Sequence, residues 1–145
     1  MANQFIPQPF QPGPRIIDGT SLNQALGSDA NTAQDGIVAL AGGGNTSASP
    51  APLLVYGQNR IVTVASANDS VQLPPSTPGA SVWVHNGDAS HSVQVFANLS
   101  SSLASGVLDT INGTAGATGV AVASGKDAYF RCYSAGAWYG PVAMV

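Results

Sequence analysis

Glutamate is absent from this chain, and its seven acidic residues are all aspartates. Basic residues are as scarce, with only Arg15, Arg60, Lys126 and Arg131 present. Charged side chains make up 8% of the sequence, where a soluble protein averages about 25%. With a net charge of −3 and no basic run, the chain lacks the phosphate-neutralising face of a nucleic-acid binder. It equally lacks the polybasic patch that anionic lipid attracts, so neither nucleic acid nor membrane is expected as a partner. Cys132 is the only cysteine, so no disulfide can form within the chain. It sits in a strand pattern and reads as a small buried apolar residue. No apolar run approaches the roughly 20 residues of a membrane-spanning helix. The opening Met-Ala-Asn-Gln-Phe-Ile-Pro has neither the basic nor the apolar segment of a signal peptide, so folding in a cytoplasm is expected.

What fills the places of Lys and Glu is Gly, Ser, Ala, Thr and Asn. Two readings account for this. One is a small-residue β-protein with a neutral surface. The other, which we favour, is a surface covered in an assembly, because interface cores are depleted in charge. A length of 145 residues suits one domain, able to bury about 70% of its unfolded surface without a metal or disulfide. Four Asn-x-Ser/Thr triplets, beginning at Asn45, Asn68, Asn98 and Asn112, are expected by chance in so Ser- and Thr-rich a chain.

Residues 1–15 stand apart. In Phe5-Ile-Pro-Gln-Pro-Phe-Gln-Pro-Gly-Pro-Arg15 proline fixes φ and removes amide donors, which excludes helix and central strand. An extended, polyproline-like arm reaching on the order of 45 Å is expected at ~3.1 Å per residue. Its apolar side chains Phe5, Ile6 and Phe10, with Arg15 at its end, favour an arm lying on a neighbouring surface over the alternative, a disordered tail. Residues 16–145 are read as a single β-sandwich domain. Thr20–Gly27 carries a short helical signature, Ser21 with Gln24 as a capping box and Gly27 as the stop.

From Arg60 onward, short segments alternate with period two between Gly, Asn, Asp and Pro. They are Arg60-Ile-Val-Thr-Val-Ala, Ser81-Val-Trp-Val-His, Ser92-Val-Gln-Val-Phe-Ala, Gly119-Val-Ala-Val-Ala and Asp127-Ala-Tyr-Phe-Arg-Cys-Tyr. Such alternation marks strands buried on one face. Gly36–Ala41 and Leu53–Tyr56 read as two more. Eight to ten evenly spaced strands predict an all-β chain, an antiparallel β-sandwich or jelly roll. Taking Asn86–His91 as a hairpin turn pairs Val84 with Val93 and Val82 with Val95. The four valines then face the core, and Trp83, His85, Gln94 and Phe96 fall on the other side. In the strand from Asp127, Ala128, Phe130 and Cys132 face the core while Tyr129, Arg131 and Tyr133 share the opposite face. Trp83, Phe96, Tyr129, Arg131 and Tyr133 are therefore candidate interface residues, since Trp, Tyr and Arg dominate interface energetics. Cover by the chain's own N-terminal half is the alternative.

No catalytic or metal-binding pattern emerges. Asp88, Ser90 and His91 are neighbours in one turn, which supplies neither the orienting group nor the oxyanion site of a nucleophilic triad. His85 and His91 lack the cysteine pair or acidic cluster of a zinc site. Gly42-Gly-Gly lacks the following Lys-Ser/Thr of a phosphate-binding loop. No two carboxylates share a strand face as an acid/base pair would need. No cofactor and no enzymatic activity are expected.

One segment carries a resemblance. Val71-Gln-Leu-Pro-Pro-Ser-Thr-Pro-Gly-Ala-Ser-Val-Trp-Val-His-Asn-Gly, then Val93-Gln-Val95, Asp109-Thr-Ile-Asn-Gly113, the turn Gly125-Lys126 and Gly136-Ala-Trp-Tyr139 resemble a pattern of tailed-bacteriophage virion proteins. It spans about half the chain and consists of turn and core residues. Leu99–Val107 is an insertion relative to the compact form. Among such proteins the small size, the arm and the low charge are most similar to capsid decoration (cement) proteins. That resemblance implies a homotrimer or other oligomer on the outer face of the capsid, with the major capsid protein as partner. It also implies a final location in the virion after synthesis in a host bacterium. The alternative is a tail or fibre module that binds host glycan or other virion proteins, with Trp83, Trp138 and Tyr139 stacking on sugar rings; for Trp138-Tyr139 a strand that closes the core is the favoured reading.

Overall fold

The computed structural model describes residues 32–99, 108–115 and 118–141. The Pro-rich arm with Phe5, Ile6, Phe10 and Arg15, the short helix expected at 20–27 and most of the Leu99–Val107 insertion lie outside the described residues.

Among the described residues every element is a strand: β1 (Ala33–Val38), β2 (Gly57–Thr63), β3 (Ser70–Gln72), β4 (Ser81–Asn86), β5 (Val93–Phe96), β6 (Thr110–Ile111), β7 (Thr114–Ala115), β8 (Val120–Val122), β9 (Asp127–Ser134) and β10 (Ala137–Tyr139). The all-β expectation holds. The strands form a seven-stranded sheet, ordered β1-β2-β4-β9-β10-β6-β7, and a three-stranded one, ordered β3-β5-β8. Side chains from both close over one core, with Ile37, Ile61, Val82, Val84, Phe130 and Trp138 from the larger sheet and Val71, Val93, Val95 and Val122 from the smaller.

The pairing is mixed, which corrects the expectation of antiparallel strands throughout. β1–β2, β2–β4, β3–β5 and β10–β6 are parallel. β4–β9, β9–β10, β5–β8 and β6–β7 are antiparallel. The chain winds from β2 across to β3, back to β4 beside β2, and across again to β5 beside β3. That alternation between sheets is solenoid-like, and the reversed strands β8 and β9 close it. An isolated parallel bridge from Leu53 to Gln72 extends the winding one step earlier, between β1 and β2.

The expected Val84–Val93 and Val82–Val95 pairs do not form. Val82 and Val84 stand opposite Phe130 and Ala128 in one sheet, while Val93 and Val95 stand opposite Val122 and Val120 in the other. All four valines are nonetheless fully buried in the same core, each stabilising the fold by roughly 1.5–3 kcal/mol relative to exposure. Period-two alternation decides which face a side chain takes and is silent on the neighbouring strand. The segment after β4 is held so as to cross rather than reverse. The Gly87 amide donates to the Ile61 carbonyl at 2.8 Å, and the Asn86 side-chain amide donates to the carbonyls of His91 and Val122 at 2.9 and 3.0 Å.

Buried amides perform the same task at other corners. Asn59 accepts from the Val55 amide and donates to the Val55 and Trp83 carbonyls. Asn45 ties Ala51 to Ala97. Each satisfies backbone groups that the change of sheet would otherwise leave buried and unpaired. A tight hairpin turns at Asn112-Gly113, whose φ values of 53° and 78° are those of a type I′ turn joining β6 to β7.

Candidate binding face

The inward face of the large sheet is spent on the core, so any site on this sheet is built from the outward side chains. In β4 the burial alternates strictly, with Val82, Val84 and Asn86 buried and Ser81, Trp83 and His85 half-buried. In β9 Ala128, Phe130 and Cys132 are buried, Tyr129 is half-buried, and Arg131 and Tyr133 are exposed. The expected division of β9 into two faces is the observed one.

Register aligns these side chains across strands. Ala33, Gln58, Trp83 and Tyr129 form one row over β1, β2, β4 and β9. Arg60, His85 and Asp127 form the next, extended by an ion pair from Arg60 to Asp35 at 3.4 Å. Ser81, Arg131 and Tyr139 form a third. The rings interlock: Trp83 and Tyr129 lie 5.6 Å apart at 55°, and Tyr133 and Tyr139 lie 5.6 Å apart at 58°. The Arg131 guanidinium sits 5.0 Å from the Tyr129 ring centre, a cation–π distance. Hydrogen bonding to Tyr133 and then Tyr129 raises the Arg131 pKa, keeping it charged. The Tyr129 phenol is drawn below its ordinary value by its hydrogen bond with Ser81 and by Arg131, against the opposing effect of burial. Asp127 Oδ1 accepts from the Trp83 indole N–H at 3.3 Å and lies 2.9 Å from His85 Nδ1.

Two shallow depressions flank the Trp83–Tyr129 pair. One, of ≈ 310 Å³, is lined by Ala33, Asp35, Gln58, Arg60, Trp83 and His85 among others. The other, of ≈ 350 Å³, includes Gly79, Ser81, Tyr129, Arg131 and Tyr133. Comparison with protein families, curated proteins and solved structures finds no match.

Of the candidates named from sequence, Trp83, Tyr129, Arg131 and Tyr133 are brought together on this face. Phe96 does not join them: it belongs to β5 in the other sheet and is buried, 7% exposed, with its ring close against Gly119. Trp138 is fully buried, its indole N–H donating to the Pro74 carbonyl at 3.2 Å. It is a core residue, as a strand closing the core requires, and is closed to a sugar ring. Tyr139, 42% exposed, is on the face. The sequence reading missed the roles of Asp35, Gln58 and Arg60, which the parallel register of β1, β2 and β4 brings beside Trp83, and of Asp127, which the antiparallel pairing of β4 with β9 sets opposite His85.

Asp88, Ser90 and His91 form the polar turn that was expected, Asp88 Oδ1 accepting from the Ser90 and His91 amides at 2.9 and 2.8 Å. Among the described residues no group of three or more His, Cys, Asp or Glu side chains is placed to hold a metal. The Cys132 thiol is pushed up by burial.

Proposed function

We propose that this chain is a structural protein of a tailed-bacteriophage virion, a decoration protein that binds the outer capsid surface and reinforces the expanded shell. The observation that carries this reading is the stripe Tyr129–Arg131–Tyr133–Tyr139. It is an exposed, interlocked aromatic and arginine surface on a charge-poor body, and these residue types carry most of the energy at protein interfaces. The Leu-Pro, Asn-Gly and Gly-x-Trp-Tyr turns that resemble virion proteins support the same reading. Two sheets closing over one core make a rigid clip in the manner of a jelly-roll module, here with mixed strand pairing.

The mechanism is linkage. A protein that binds only the expanded shell stabilises it by RT ln(1 + [L]/Kd) per site, about 2.7 kcal/mol at one hundred times Kd. A homotrimer touching several copies of the major capsid protein multiplies weak contacts by effective concentration. The Phe5–Arg15 arm adds contact area on a neighbouring subunit.

The deciding measurement is the copy number of this chain per purified virion, by quantitative mass spectrometry against the major capsid protein. A ratio of one, or a simple fraction of it, supports lattice-wide decoration. A handful of copies moves the protein to the tail, and absence from particles rejects the virion reading. Tyr133→Ala with Tyr139→Ala should then weaken capsid binding at least tenfold while leaving the thermal midpoint unchanged, since both rings are exposed.

A further inference from the structure

The half of the face that the docking stripe leaves unused has its own chemistry. The depression over β1, β2 and β4 is floored by one side of Trp83 and rimmed by planar polar groups: the Gln58 amide, the Arg60 guanidinium, the Asp35 carboxylate and the His85 imidazole. We infer that this groove binds an uncharged pyranose of a glycan, with Trp83 as the stacking platform. The inference does not depend on the virion reading.

Four observations carry it. An indole ring offers an apolar face to the C–H side of a sugar and keeps a polar edge. Here that edge is already held by Asp127 at 3.3 Å and the ring is braced by Tyr129 at 5.6 Å. His85 is held by the same Asp127 oxygen at 2.9 Å. The platform and the His85 edge are therefore set before a ligand arrives, which removes ordering costs from that part of binding. Amide, carboxylate and guanidinium groups each present two polar atoms at a spacing suited to paired hydroxyls. Arg60 and Asp35 are paired only at 3.4 Å with side chains 56% and 69% exposed, a contact weak enough in solvent to be exchanged for ligand hydroxyls. The volume of ≈ 310 Å³ lies at the small end of ligand sites and suits one or two sugar rings.

Charge selects the class of sugar. On the rim Asp35 and Arg60 balance, and Asp127, bonded to Trp83 and His85, adds a further negative charge nearby, which opposes a sialic or uronic acid and leaves a neutral hexose or N-acetylhexosamine unaffected. Geometry separates the groove from the docking stripe. Neighbouring strands are rotated by roughly 20–25°, so the three steps from β2 to β10 turn the two halves of the face apart by about 60–75°. A glycan on β2 and β4 is therefore compatible with a protein contact on β9 and β10.

The test is titration of the full chain with glucose, galactose, mannose, N-acetylglucosamine and their short oligomers, with sialyllactose and glucuronate as anionic comparators. Tryptophan emission and isothermal calorimetry are read in parallel. Trp138 is fully buried, so an emission change on binding reports Trp83. The expected result is binding of at least one neutral sugar, with Kd on the order of 1 mM for a monosaccharide and tighter for its oligomer. Trp83→Ala should weaken it at least tenfold by calorimetry. The exposed variant Gln58→Ala, which keeps the fold, should weaken it severalfold. No emission shift or heat with any neutral sugar overturns the inference. So does stronger binding of the anionic comparators, or wild-type affinity in both variants.

Discussion

Replacing Asp69 by Asn should destabilise this protein by about 3 kcal/mol at neutral pH, and the penalty should shrink as the solution is acidified. Asp69 is 1% exposed and collects four donors. Its Oδ2 accepts from the Ala65 and Ser66 amides at 2.7 and 3.1 Å. Its Oδ1 accepts from the Ser66 hydroxyl at 2.8 Å and from the Gly42 amide at 3.0 Å. These bonds fold the turn between β2 and β3 and tie it to the loop after β1. Asparagine has the same shape but only one accepting oxygen, so two of the four donors lose their partner. A buried donor left unpaired costs about 1–3 kcal/mol, giving about 2–6 kcal/mol before relaxation. For a domain of this size about 3 kcal/mol lowers the thermal midpoint by about 6–12 °C.

The pH dependence follows from the same bonds. Burial acts to raise the Asp69 pKa, but hydrogen bonds from Ser66, Gly42 and Ala65 together outweigh it and hold the carboxyl below its ordinary 3.8. A carboxyl with a depressed folded pKa contributes stability that is fully present above the unfolded value. That stability is lost as pH falls through the folded value. The wild type should therefore lose this contribution below about pH 4, whereas the Asn variant has none to lose. Asp88, held low chiefly by the Ser90 and His91 amides, titrates in both proteins and cancels in the difference. Urea unfolding of both chains from pH 7 to pH 2.5 measures the gap. A penalty under about 0.5 kcal/mol at pH 7, within the range of an ordinary surface change, refutes the hub. A gap that stays constant on acidification refutes the linkage.

Two further outcomes are expected. Trp138→Ala removes the largest fully buried side chain and the donor to Pro74. It should cost about 3–5 kcal/mol in chemical denaturation, while Trp138→Phe, which fills most of the space, should cost clearly less. Cys132, 2% exposed with its thiol pushed up by burial, should resist aromatic disulfide reagents in the native state and react fully in denaturant; rapid native labelling would contradict its burial.

Much of this molecule was legible in its residues. Alternation in Ser81-Val-Trp-Val-His and Asp127-Ala-Tyr-Phe-Arg-Cys-Tyr assigned faces correctly, because side chains on a strand must point to opposite sides whatever the strand lies beside. Asn112-Gly113, noted in the sequence only within the resemblance, proves to be a type I′ turn, where positive φ at two consecutive positions is open to few residue types. The burial of Cys132 followed from the alternation, and that of Trp138 from reading its segment as a strand that closes the core. Neighbour identity was not legible. Val82 and Val84 meet Val93 and Val95 across the core rather than along a hairpin, and β1, β2 and β4 run parallel. Those outcomes rest on contacts between residues far apart in the chain: Asn86 with Val122, Gly87 with Ile61, Asp69 with Gly42. The binding face divides in the same way. Trp83, Tyr129, Arg131 and Tyr133 could be named from local pattern alone. Gln58, Arg60 and Asp35 join them only through the parallel register, and Phe96 leaves them only because β5 crosses to the other sheet. Sequence period determines the side of a sheet that a residue occupies; tertiary hydrogen bonding between distant segments decides which residues share that side.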